Sequence, residues 1–463
     1  MNPNVFREYD IRGLSDTDLT DDFVRDLGRA VGTHLARHGE RRLVLGRDCR
    51  LSSPRLRDRF AEGLVETGAE VIDVGVVPTP VLYFAAFHFD APGGAQITGS
   101  HNPPEYNGFK VLRQKTTIFG AEIQELRALI ERRDFLKEPG GRVVLEDVIG
   151  AYVAHVAGGM HLGPRRFRIV VDAGNGTGGV TAVPILVQLG FEVRPLYCEM
   201  DGSFPNHHPD PTIEANFTDL RAAVRADRAE VGLSLDGDAD RLGVVDSRGR
   251  IVWGDQLMIL FAREILKEVP GATFVSEVKA SKTMYDDITA HGGRAIMWKV
   301  GHSLIKSKMK EEHALLAGEM SGHLFFAHRY LGFDDAVYAA VRLCEMLSLS
   351  EQTLADHVDT LPRTFNTPEI RVEVAEEVKF DLVRRATDWF RARHEIVDVD
   401  GVRVLFPDGW GLIRASNTQP VLVLRFEATT KERLAEIRGY VEAHLRELEA
   451  DMERERAAAP APA

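Results

Sequence analysis

The stretch "FRIVVDAGNGTGGVTAVPILVQLGFEV", residues 167–193, sets the fold class. A strand-like apolar run meets a glycine turn, then a helix-like run, then a second strand-like run. That order is the βαβ signature. The rhythm occurs earlier in "RRLVLGRD" (41–48), in the amphipathic "RLRDRFAEGLVETGAEV" (55–71) that ends its helix at Gly68, and in the following "VIDVGVV". It returns in "QLMILFAREILKEVPGATFVSEV" (256–278). Three blocks of similar length predict tandem α/β units, each with a mostly parallel sheet. After Pro362 the texture changes. "FNTPEIRVEV" and "GVRVLFPDGWGLIRASNTQPVLVLRFEA" alternate like antiparallel strands. "DLVRRATDWFRARH" and "TKERLAEIRGYVEAHLRELEADMERER" read as helices beside them, giving a smaller α+β domain. The predicted divisions are 1–148, 149–252, 253–364 and 365–452, with a disordered tail at 453–463.

The glycines of "GNGTGG" also match G-x-G-x-x-G after a strand and before a helix, which raises an NAD-dependent oxidoreductase. That reading needs an acidic residue about 20 positions on for the ribose. Only Glu192 and Glu199 offer one, loosely placed. Close strand–helix packing explains the glycines equally well.

Composition narrows the class. Hydrophobic residues are 44% and charged residues 27% of the 463, as in ordinary globular proteins. A formal charge of −13 argues against a general nucleic-acid binder. Cys49, Cys198 and Cys344 lie far apart without metal spacing, which suits reduced thiols in a cytoplasmic protein. The opening "MNPNVFREYDIRG" offers no apolar signal run, and no stretch of eighteen apolar residues predicts a membrane span.

Four loops carry the chemistry. In "QITGSHNPPEYNGFK" (96–110) the apolar pattern stops at Ile97. Pro103 and Pro104 cannot continue a ladder or a helix. Ser100 therefore sits on a stiff loop beside His101, Asn102 and Lys110, the setting of a nucleophile or phosphate site. In "SLDGDADRLGVVD" (234–246), Asp236, Asp238 and Asp240 alternate after an apolar run. Three carboxylates at that spacing can converge on a hard divalent cation. An EF-hand would need glycine sixth and glutamate twelfth, where this chain has Arg241 and Ser247. Mg²⁺, which keeps few protein ligands and bridges to phosphate, fits better. "GEMSGH" (318–323) sets Glu319, Ser321 and His323 on alternate positions, suited to sugar hydroxyls. "RASNTQP" (414–420) gathers Arg414, Ser416, Asn417 and Thr418 as an anion nest. Lys279 and His302 add possible acid–base groups.

Together these motifs resemble the α-D-phosphohexomutase superfamily. The ordered set runs from "FREYDIRG" (6–13) to "GWGLIRASNTQPVLVLRFEA" (409–428), nearly the whole chain. Within it the chain looks most like the bacterial phosphomannomutase/phosphoglucomutase group. The resemblance implies four domains in a heart shape around a central cleft, three of shared α/β topology and a smaller α+β fourth. It implies that Ser100 carries a phosphoryl group, with Mg²⁺ held by Asp236, Asp238 and Asp240 against that phosphate. It implies interconversion of hexose 6-phosphate and hexose 1-phosphate through a 1,6-bisphosphate, with glucose 1,6-bisphosphate as activator. Lys110 and Arg241 would neutralise the moving phosphoryl. Lys279 and His302 match positions near the reacting hydroxyl; Tyr9 and Arg12 match N-terminal site residues. Glu319, Ser321 and His323 would read the sugar, and the 414–418 loop would hold the idle phosphate. No nucleic acid, membrane or obligate protein partner is implied. Phosphoglucosamine mutase is the runner-up activity.

Overall fold

The computed structural model describes residues 2–416 and 420–458, the side chains of 453 and 456–458 excepted. Three α/β domains share one strand order. In each, the strand that comes first in the common core is central: Arg42–Arg47, Arg168–Asp172 and Thr273–Glu277. The second strand, Glu70–Val76, Glu192–Leu196 or Arg294–Trp298, lies parallel on one side. The third, Gly93–Ile97, Val231–Leu235 or Leu316–Gly318, lies parallel on the other. The fourth, Tyr106–Arg113, Leu242–Asp246 or Leu324–Phe326, returns antiparallel beside the third. So each sheet keeps the parallel core that the sequence predicted and adds an antiparallel fourth strand, which makes it mixed. The third-to-fourth connections, 98–105, 236–241 and 319–323, are too short for a parallel crossover, which takes a dozen residues or more. These three equivalent connections are the three motif loops of the α/β blocks.

The fourth domain is an antiparallel sheet ordered around Val421–Ala428, with Gly409–Ala415 as its hairpin partner. The hairpin brings Ser416 and Pro420 to one end of the sheet. Helices Glu376–Arg391 and Lys431–Ala458 pack on that sheet. The last helix continues through Ala458, so 453–458 is helical where a disordered tail was predicted. Its run of Glu, Arg, Leu and Ala is made of strong helix formers and has no breaker before Pro460.

Candidate active site

Ser100 is buried and holds a left-handed backbone, φ 49°, which costs energy for a residue with a side chain. Its amide donates to Thr98 Oγ1 at 2.8 Å. Its hydroxyl donates to Asp236 Oδ2 at 2.8 Å and lies 3.0 Å from His101 Nδ1. Burial, with Arg241 and Arg12 nearby, holds the His101 imidazole well below its usual range, so it is neutral at pH 7. Arg12 donates to Asn102 Oδ1 at 2.8 Å and to Asp10 Oδ2 at 2.5 Å. Beneath the loop lies Arg50, which the sequence reading missed. A Cβ on Gly99 would come within 2.5 Å of its Nε, so the glycine makes room for that guanidinium.

Asp236, Asp238 and Asp240 are all buried, with one carboxylate oxygen of each within 4.8 Å of the others. Lys110 Nζ donates to Asp238 Oδ2 at 2.8 Å and also pairs with Asp240. Burial would lower the Lys110 ammonium, but Asp238 and Asp240 outweigh it and raise it above its usual range. Thr79, from the first domain, donates its hydroxyl to Asp238 Oδ2 at 2.5 Å and its amide to Asp238 O at 2.9 Å. Burial, with Asp240 and Asp238 beside it, pushes Asp236 well above the carboxylate range. Asp238 Oδ1 is buried without a hydrogen-bond partner among the described residues. Three buried oxygen donors, one lysine and an orphaned carboxylate oxygen fit a hard divalent cation. The "GNGTGG" run seats this loop. Thr177 donates its amide at 3.0 Å and its hydroxyl at 3.2 Å to Gly237 O, and a Cβ on Gly176 would stand 2.5 Å from that same oxygen.

The third-domain loop is stitched to the second. Arg241 and His323 form an isolated antiparallel bridge, and the Leu242 amide donates to Gly322 O at 3.0 Å. His323 lies between two carboxylates, Asp240 Oδ1 at 3.3 Å and Glu319 Oε2 at 3.0 Å, with Ser321 Oγ 3.0 Å from its Nδ1. Burial would lower His323, but these carboxylates raise it to about 9, so it is a cation at neutral pH. Burial would likewise raise Glu319, but His323 holds it down to about 2. The His302 ring stacks on His323 with centroids 5.7 Å apart. Its Nδ1 is 3.4 Å from Asp334 Oδ2, yet burial keeps it below its usual value. Tyr9 reaches across from the first domain, its ring 6.2 Å from His302 and its hydroxyl donating to Val300 O at 2.9 Å.

Lys279 donates to Glu369 Oε1 at 2.6 Å, and Glu277 Oε1 is 3.8 Å away. Burial would lower Lys279, but these carboxylates raise it, so it is protonated. In the fourth domain Arg414 is buried, and its Nε donates to Asp400 Oδ2 at 3.1 Å. The Val300 amide donates to the same oxygen at 3.0 Å, which ties Arg414 to the third domain. The Ser416 carbonyl accepts from the buried Lys379 Nζ at 2.6 Å. Asn417 and Thr418 lie outside the described residues. The structure thus gathers Ser100, His101, Asn102, Arg12, Lys110, the aspartates, Arg241, Glu319, Ser321, His323, His302 and Tyr9 into one network. Lys279 joins the fourth domain through Glu369, and Arg414 joins the third through Asp400. Asp48, Arg50, Thr79, Asp334, Glu369 and Asp400 carry no motif signal in the sequence.

Comparison with known proteins places this architecture. Models described as phosphoglucomutase/phosphomannomutase alpha/beta/alpha domains I, II and III match residues 3–137, 150–249 and 253–365. The model of the C-terminal domain of the same family matches 369–444. The chain belongs to the phosphoglucomutase/phosphomannomutase family, within the α-D-phosphohexomutase superfamily. It is 47% identical over 439 residues to a Pseudomonas aeruginosa phosphomannomutase/phosphoglucomutase, covering 94% of each chain. It is also 47% identical over 442 residues to a Neisseria gonorrhoeae phosphoglucomutase, covering 94% of this chain and 95% of the other. The crystal structure of a Burkholderia thailandensis phosphoglucomutase/phosphomannomutase family protein superposes with a TM-score of 0.90 at 41% identity, over 96% of this chain and 98% of that one. Among the described residues no helix is long and apolar enough to cross a membrane.

Proposed function

We propose that this chain interconverts the 6-phosphates and 1-phosphates of glucose and mannose, using a phosphoryl group carried on Ser100. The observation that supports this most is the buried, left-handed Ser100, whose Oγ lies 2.8 Å from Asp236 Oδ2 at the convergence of three aspartates. Glucose appears in the names of both relatives above and mannose in one. Asp236, Asp238 and Asp240 would hold Mg²⁺, which when bound neutralises charge on the phosphoryl group. The serine–phosphorus bond breaks as the bond to the sugar hydroxyl forms. The hydroxyl proton passes to the neutral imidazole of His302; the serine oxygen keeps the electron pair and takes a proton from water, which His302 makes good by releasing the proton it gained. Lys279, held in its ammonium form by Glu277 and Glu369, is an acid and not the base in this form. The 1,6-bisphosphate then turns over in the site and returns its other phosphate to Ser100. Added glucose 1,6-bisphosphate activates by restoring phosphoserine.

The remaining residues position and neutralise. Arg12, Asn102 and Tyr9 line the approach; Lys110 and Arg241 supply fixed positive charge beside the aspartates. Glu319 and Ser321 accept from and donate to sugar hydroxyls, with His323 as a fixed cation between them and Asp240. Arg414, Ser416, Asn417 and Thr418 hold the phosphate that is not reacting. The three cysteines are unpaired, as the reduced thiols of a cytoplasmic enzyme would be. The dinucleotide reading has no support, because the glycine run is occupied as the seat of the metal loop. The test is a coupled assay on mannose 1-phosphate, glucose 1-phosphate and glucosamine 1-phosphate with catalytic glucose 1,6-bisphosphate. Turnover of the glucose and mannose esters is expected. Turnover of the glucosamine ester alone would transfer the assignment to phosphoglucosamine mutase.

A further inference from the structure

The carbonyls of Ser100, Asn102, Pro103 and Tyr106 turn toward one buried side chain, which gives each a donor. Arg50 Nη2 donates to Ser100 O at 2.8 Å and to Asn102 O at 2.5 Å; its Nη1 donates to Pro103 O at 2.6 Å and to Tyr106 O at 3.0 Å. Its Nε donates to Asp48 Oδ2 at 3.1 Å. Asp48 is buried and fixed in turn, accepting the Gly99 amide at 3.1 Å and the Ser53 hydroxyl at 2.6 Å. The guanidinium is fully buried, and the Phe204 ring of the second domain lies 5.1 Å from it. Both peptide groups flanking the Ser100 Cα are therefore held, the amide by Thr98 and the carbonyl by Arg50. Together they fix the direction of the Ser100 Cβ, and so where the hydroxyl projects.

We propose that Arg50 is a positioning residue for phosphoryl transfer, which with Asp48 sets the orientation of Ser100 without touching the substrate. The proposal rests on the reading of Ser100 as the phosphoryl carrier. A planar fork with five donors matches this set of acceptors; a lysine ammonium, a point charge with three, does not. In-line transfer is sensitive to displacements near 1 Å, which cost about 10²-fold. Arg50→Lys is thus expected to lower kcat by about 10²-fold while changing KM less than about threefold. The phosphoserine, no longer held in line, should lose its phosphate to water faster than in the parent.

The experiment measures kcat, KM, phosphoserine half-life by intact mass, and Tm for Arg50→Lys, Asp48→Asn and Arg57→Lys. Arg57 pairs with Asp73 away from this loop and serves as control, with activity unchanged. A folded Arg50→Lys with parental kcat would overturn the proposal, as would a kcat loss with unaltered phosphoserine half-life. If Arg50→Lys does not fold, Asp48→Asn decides. A fall in kcat at constant KM and a shorter phosphoserine half-life support the proposal; parental values overturn it. Ser100→Ala separates the two levels. An active Ser100→Ala enzyme defeats the carrier reading itself, whereas an inactive one beside a normal Arg50→Lys enzyme defeats only the positioning claim.

Discussion

The first three domains and the fourth are joined in different ways. One continuous apolar core runs through the first three, from Val44 and Tyr83 through Ile185 and Leu233 to Phe326 and Leu347. Helices Thr79–His88, Ile149–Gly158, Gly179–Gln188, Gly254–Glu268 and Ala336–Leu349 all contribute to it. The fourth domain keeps its own core, including Leu382, Phe390, Ile413 and Val441. Its apolar contact with the third is a small cluster around Val278, Trp410 and Leu412. Polar links complete the junction: Arg403 donates to Val278 O at 2.7 Å and Ala280 O at 2.8 Å, and Arg425 donates to Lys279 O. The difference assigns two tasks. Ser100, the aspartates, His323 and His302 sit in the body with the shared core, where close packing leaves little room for displacement. Arg414 and Ser416 sit on the domain with its own core. A sugar bisphosphate that must bind in two orientations needs precision at one end and adaptability at the other.

Four outcomes would sharpen or break this division. The largest effect belongs to the shared body. Ser100→Ala should lower kcat by orders of magnitude with Tm nearly unchanged, since a loop hydroxyl contributes little to stability. Next, Asp238→Asn should weaken Mg²⁺ binding, read by titration of the metal-free protein, and chelation of the parent should abolish activity reversibly. Activity that survives exhaustive chelation would remove the triplet from the chemistry. On the fourth domain, Arg414→Ala should reduce kcat/KM about 10- to 100-fold, from the roughly 1.5–3 kcal/mol of a charge-assisted bond. The loss should be similar from the 1-phosphate and from the 6-phosphate, with partial rescue by Arg414→Lys. Damage to one direction alone would break the idea of a shared phosphate grip.

The fourth outcome leaves turnover alone and is read in stability, as a pH dependence. His323 titrates near 9 in the folded protein against 6.5 for an ordinary histidine. Because the folded value is raised, its stabilisation is complete below pH 6.5 and is lost as pH rises through 9. In chelated protein, denaturant unfolding should show stability falling between those limits by up to about 3 kcal/mol. His323→Gln should flatten that slope. An unchanged slope would mean that His323 is not the cation tying the second and third domains.

What the sequence made legible follows from locality. Each motif loop is contiguous, so Ser100, the alternating aspartates, "GEMSGH" and "RASNTQP" could be read directly, as could the strand–turn–helix rhythm. The antiparallel return of the fourth core strand in each α/β domain was not legible, because a period of two is the same in parallel and antiparallel strands; the short loops at 236–241 and 319–323 decide it. Lys110 as counter-ion to Asp238 and Asp240 depends on contacts 128 and 130 residues apart. Arg50 meets carbonyls about 50 residues downstream, and Thr79 meets Asp238 at a separation of 159. No local pattern marks such residues. Asp400 and Glu369 were illegible for the same reason, since each acquires its role only where the third and fourth domains meet.

The central claim is that Ser100 passes its phosphoryl group to the sugar and receives another back. The most direct measurement is a single turnover. Phosphorylated enzyme is mixed with Mg²⁺ and less than one equivalent of glucose 1-phosphate and quenched over time, with peptide mass spectrometry and bisphosphate assay on each sample. The account predicts phosphate on the peptide containing Ser100 that falls as an equal amount of glucose 1,6-bisphosphate appears and returns as the bisphosphate gives way to glucose 6-phosphate. Phosphate on another residue, or glucose 6-phosphate formed while Ser100 stays unmodified throughout, would contradict it.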